Sequence, residues 1–75
     1  MERIVITRPM VGICYMQVCA VLDATDEEIL AVANRENPAG TTGGWMEVLR
    51  APTEHAAGPT TCADDPGRLH LLLAC

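Results

Sequence analysis

From Gly12 to Leu22 the chain reads GICYMQVCAVL, rich in β-branched and aromatic residues and free of any helix-capping signal, and this predicts a strand. Split by parity, Cys14, Met16, Val18, Ala20 and Leu22 fall on one face and Ile13, Tyr15, Gln17, Cys19 and Val21 on the other. The first set is wholly apolar and is the expected core face. The second mixes a phenol, an amide and a thiol into an apolar row, which reads as a subunit interface or the wall of a pocket. Residues 3–8 (RIVITR) read as a short preceding strand, with Pro9 at an edge or bend.

The pattern then changes period. Thr25 stands where an N-cap belongs and Glu28 three residues later completes a capping box, with Asp26, Glu27 and Glu28 at the positive end of the helix dipole. Ile29, Val32 and Ala33, helped by Leu30, recur at helical spacing and give one apolar stripe. The helix is predicted from about Asp26 to Arg35 or Glu36, because Pro38 disfavours helical geometry at Asn37. Residues 37–44 are a turn-rich, glycine-containing loop, and 45–50 (WMEVLR) read as a strand with Trp45, Glu47 and Leu49 opposite Met46, Val48 and Arg50. Residues 51–63 read as a flexible loop and Asp64-Asp65-Pro66-Gly67 as a turn. A last strand, Arg68 to Cys75, has Leu69, Leu71, Leu73 and Cys75 on one side and Arg68, His70, Leu72 and Ala74 on the other.

These elements predict an α+β fold, a small β-α-β-β domain with an antiparallel or mixed sheet and one helix packed on one face. Seventy-five residues leave room for a single domain, residues 1–75. With 49% hydrophobic residues but no Phe, one Trp and one Tyr, the core is aliphatic and thin, which points to a homo-oligomer.

The formal net charge is −5, and all five bases are arginines: Arg3, Arg8, Arg35, Arg50 and Arg68. Without a basic patch the chain is not expected to bind nucleic acid directly, whereas an acidic surface suits a basic partner. Arg3 and Arg8 precede an apolar stretch as in a signal peptide, but Pro9, Gly12 and Gln17 interrupt it. Met10 to Leu22 also falls short of the roughly 20 residues that cross a bilayer. The expectation is a soluble cytoplasmic protein without a membrane partner, its four cysteines reduced.

Asn34 to Trp45 concentrates exposed amides, hydroxyls, a guanidinium and an indole, chemistry suited to an anionic or nucleobase-bearing ligand: backbone N–H and Arg35 for phosphate, Trp45 for stacking. The plainer alternative is a proline-stopped helix followed by a glycine loop, with Trp45 in the core. Arg50, Arg68 and His70 make a second candidate anion cradle if their strands adjoin, or else ordinary strand charges paired with Glu47, Asp64 or Asp65. The candidate ligand residues are therefore Arg35, Asn37, Gly40, Thr41, Thr42, Trp45, Arg50, Arg68 and His70.

Cys14, Cys19, Cys62, Cys75, His55 and His70 are metal-ligand types, but only Cys14 and Cys19 approach knuckle spacing and parity sends them to opposite faces, so no metal site is expected. Nothing sets a nucleophile beside a base. No catalytic residue, enzyme activity or cofactor is expected.

The segments Ala24-Thr25-Asp26-Glu27-Glu28-Ile29-Leu30, Asn34 to Thr42, Gly44-Trp45 and Arg68-Leu69-His70 with Cys75 resemble short phage-type proteins. That resemblance covers residues 10–75 and leaves 1–9 as a loosely attached extension. It implies an accessory protein acting against host defence. Two readings follow: a non-enzymatic homo-oligomeric sponge for an anionic nucleotide-like signal, or an inhibitor that meets a host protein through Asp26, Glu27 and Glu28. A metal-stabilised structural module is the third.

Overall fold

The stretch ahead of Gly12 forms a full outer strand. The computed structural model describes residues 2–12, 14–39, 43–52, 54 and 58–75. Its elements are β1 (Ile4–Val11), β2 (Tyr15–Val21), α1 (Asp26–Glu36), β3 (Glu47–Leu49), β4 (Thr60–Cys62) and β5 (Asp65–Ala74). The α+β class holds, but the order is β-β-α-β-β-β instead of β-α-β-β. The difference has two sources: the short strand read over residues 3–8 runs over 4–11 and joins the sheet along β2, and a three-residue strand arises inside the stretch read as a loop. Residues 53 and 55–57 of that loop lie outside the described residues.

Every pairing is antiparallel, and the sheet runs β1-β2-β5-β3, with β4 also on β5. β3 pairs with Leu72 to Ala74 while β4 pairs with Asp65, Leu69 and His70, so the two short strands lie end to end along one edge of β5. The parity read for β2 and β5 holds within the strands: Met16, Val18, Ala20, Leu71 and Leu73 are buried together with Ile4 and Val48, whereas Leu22, expected on the core face, lies past the end of β2 in a turn and is exposed. Ile29 and Ala33 of α1 close that face. Fully burying side chains such as Met16, Ile29 and Leu71 contributes about 1.5–3 kcal/mol each.

Cys14 departs from the parity scheme for a local reason. It stands at φ 62° in the turn between β1 and β2, beside Gly12 at φ 58°, and so belongs to neither strand. Leaving the strand frees its side chain from the core face. It forms a disulfide with Cys75, whose N–H also donates to the Cys14 carbonyl. A second disulfide joins Cys19 of β2 to Cys62 of β4, so the reduced thiols expected from the sequence are replaced by two cross-links.

Helix α1 begins and ends where the sequence places it. Thr25 Oγ1 accepts from the Glu28 N–H at 3.1 Å, a cap that contributes about 1 kcal/mol. The Glu28 carboxylate makes the return half of the box with the Thr25 backbone and also accepts, through both oxygens, from Arg3 just ahead of β1. At the other end Asn37 leaves helical geometry, at φ −147° and ψ 78°, ahead of Pro38, which disfavours the helical region there. No helix among the described residues is long and apolar enough to cross a membrane.

Candidate functional site

Among the described residues of the segment from Asn34 to Trp45, Asn34, Asn37 and Trp45 use their polar groups internally. The Asn34 side chain bridges the Trp45 backbone, donating from Nδ2 to the carbonyl at 3.0 Å and accepting the N–H on Oδ1 at 2.7 Å. The indole Nε1–H donates to the Asn37 carbonyl, and Asn37 Nδ2 donates to the Pro9 carbonyl at the far end of β1. Close approach to Asn34 explains Gly44: at φ +94°, a Cβ there would collide with Asn34 Oδ1. Trp45 is only 2% exposed, so its ring is a core side chain and not a stacking platform for a base. Of the loop residues proposed to cradle phosphate, Gly40, Thr41 and Thr42 lie outside the described residues.

The arginines do not converge on a common anion site. Arg50 Nε donates to Asp26 Oδ1 at 2.7 Å, at the N-terminus of α1. Arg68 is 7% exposed, and its guanidinium holds Asp65 at 3.0 Å, the carbonyls of Arg3 and Cys19, and the Glu2 carbonyl. That arrangement ties the start of β1 to β5 and satisfies a buried cation, which would otherwise be strongly destabilising. His70 stands opposite Cys19 and Thr60 on the face of the sheet away from α1. Arg35, exposed on the last turn of α1, borders a groove of about 240 Å³ with Ile4 and Val32 as its apolar lining and Glu2, Arg3, Glu28 and Glu36 around it. Carboxylates outnumber guanidiniums there, which disfavours an anion.

The topology instead collects acids at one end of the molecule. Val21 leaves β2 opposite Arg68, the chain turns through Asp23 into the N-terminus of α1, and β5 starts from the Asp64-Asp65 corner. Arg3 links this end by accepting Val21 N–H on its carbonyl while its side chain reaches Asp23 at 3.3 Å and Glu28 at 2.7 Å. Glu2, Asp23, Asp26, Glu27, Glu28, Asp64 and Asp65 gather here against Arg3, Arg50 and Arg68, so this pole holds four of the five units of net negative charge. The hydrogen bonds from Arg3 hold the Glu28 carboxyl below the ordinary range, and the same bonds raise the Arg3 guanidinium. Leu22, 64% exposed, lies in the turn of this pole.

Sequence reasoning recognised the acids of the helix start but not their union with Asp64 and Asp65. The signal was present as two acidic turns, and only the pairing of β2 with β5 brings them together. The disulfides likewise take up Cys14, Cys19, Cys62 and Cys75, so these sulfurs are neither thiolate ligands nor nucleophiles in the oxidised protein. His55, the other candidate ligand of that group, lies outside the described residues.

The fold and this pole define a two-layer α+β protein with a polarised acidic surface. Set against known protein families, curated proteins and solved structures, the chain matches none of them.

Proposed function

We propose that the protein is a non-enzymatic binding module whose acidic pole docks on a basic protein surface. The observation that carries this reading is the excess of carboxylates at the pole after Arg3, Arg50 and Arg68 have each been paired with Asp or Glu. Exposed Leu22 within the same patch supplies an apolar contact of the sort that protein interfaces bury among charged rims. In the setting that the resemblance to phage-type proteins implies, the basic partner is a host protein. The nucleotide-sponge reading has less support, since its indole is in the core and its arginines are engaged by the protein's own acids.

The two disulfides favour action in an oxidising environment over the reducing cytoplasm expected from the sequence. Titration with a lysine-rich peptide and, separately, with cyclic and linear nucleotides tests the choice of ligand. The peptide is expected to bind and to weaken steeply from about 0.05 to about 0.3 M salt, as exposed charge pairs are screened. Reversing Glu27 and Asp64 to Lys is expected to abolish most of that binding while leaving the fold intact, because both side chains are exposed. Thermal stabilisation by a nucleotide, with indifference to the peptide, would overturn the reading.

A further inference from the structure

The sheet has a second face with no helix on it among the described residues, and its residues form ordered rows. Register places Val11, Tyr15, Ala74 and Glu47 side by side across β1, β2, β5 and β3. The next row toward the acidic pole is Arg8, Gln17, Leu72 and Leu49, and the one after is Val5, Cys19, His70 and Thr60. Val5, Tyr15, Gln17, Leu49, Leu72, His70 and Ala74 are all partly exposed, whereas Ile4, Met16, Val18, Val48, Leu71 and Leu73 on the helix side are buried. The thinnest extent of the molecule is 18 Å, which accommodates a sheet and one helix layer.

We propose that this face is the contact between two copies of the chain, packed sheet on sheet as a symmetric sandwich. Charge selects the occupant. In the two rows nearest Tyr15 the charged residues are Arg8, at the β1 edge, and Glu47, at the β3 edge, both exposed. The interior positions, Tyr15, Ala74, Gln17 and Leu72, are uncharged. A two-fold axis parallel to the strands lays β1 of each copy over β3 of the other, so Arg8 approaches the partner's Glu47 and Glu47 approaches the partner's Arg8. The two positions differ by one row, about 7 Å along the strand, an offset that a long Arg side chain spans. A basic partner would gain less here, because the face offers it one carboxylate at the β3 edge and a like-charged arginine at the β1 edge. The inference is independent of the acidic pole, which lies beyond the row of Val21 and Arg68 and stays uncovered in the sandwich.

Sedimentation equilibrium of the oxidised protein tests the proposal. The 8.0 kDa chain is expected to dimerise with a dissociation constant below roughly 100 µM. Glu47→Arg places two arginines opposite each other at both edges and is expected to raise that constant about five- to tenfold. Adding Arg8→Glu restores opposite charges and is expected to return it to within about twofold of the original. Because both side chains are exposed, neither variant depends on rebuilding the core. Leu72→Arg, at the centre of the face, is expected to give a monomer. A wild-type monomer at about 200 µM, or a dimer whose dissociation constant ignores the charge swap, would overturn the sandwich.

Discussion

Opening the Cys19–Cys62 disulfide, by Cys19→Ser with Cys62→Ser or by reductant, is expected to lower the melting temperature by about 15–30 °C. The bond spans 43 residues, and Cys14–Cys75 spans 61. In the chain-entropy account, loops of these lengths each constrain the unfolded ensemble by about 4 kcal/mol. A 75-residue domain has a total stability of only about 4–11 kcal/mol. Each cross-link is therefore comparable to the whole margin, and reduction of both is expected to leave the protein largely unfolded at 37 °C. The bonds also sit where secondary structure is weakest: one fastens the three-residue β4 to β2 across β5, and the other fastens the end of the chain to the β1–β2 turn. Circular dichroism melts with and without reductant measure the effect. Identical melting curves would mean that the hydrophobic layer alone holds the fold.

Trp45→Ala is expected to destabilise the protein by about 3–5 kcal/mol, the range for truncating a buried aromatic. The loss goes beyond volume, because the substitution leaves the Asn37 carbonyl without its indole donor. Trp45→Phe retains most of the packing and loses that hydrogen bond, so it is expected to fall between the two. Chemical denaturation of the three proteins gives the comparison. As the chain has one tryptophan, the native emission of the parent reports the site directly: it is expected to be blue-shifted and poorly quenched by iodide. A red-shifted, readily quenched emission would show an exposed ring and reopen base stacking at Trp45.

Local chemistry made some elements legible to the residue. Thr25, the acids after it and Pro38 delimit α1 without any help from tertiary structure. Alternation correctly sorted β2 and the body of β5, because each buries one face against a helix and a register slip would expose the whole apolar set. β1 was harder to read. Its register shifts between Ile6 and Arg8 and again before Val11, so its alternation breaks in the middle of the strand. β4 is too short to carry a period and forms because β5 offers it an edge. The candidate site failed to assemble for a related reason. Arg50, Arg68 and Trp45 have the chemistry of ligand residues, but their partners are Asp26, the Glu2 and Arg3 carbonyls and Asn37, and no one-dimensional pattern names partners brought together by strand order. The cysteine pairs were hidden in the same way, since Cys14 leaves its strand through a positive-φ turn and Cys62 reaches Cys19 only once β4 lies on β5.

Native mass spectrometry of the protein purified under non-reducing conditions tests most directly the claim that this chain works through its surfaces and not through a small-molecule pocket. The account predicts dimers whose protomers each lack four hydrogens, for two disulfides, and whose mass is otherwise that of the chain. A spectrum in which each dimer or protomer carries the added mass of a nucleotide would contradict it.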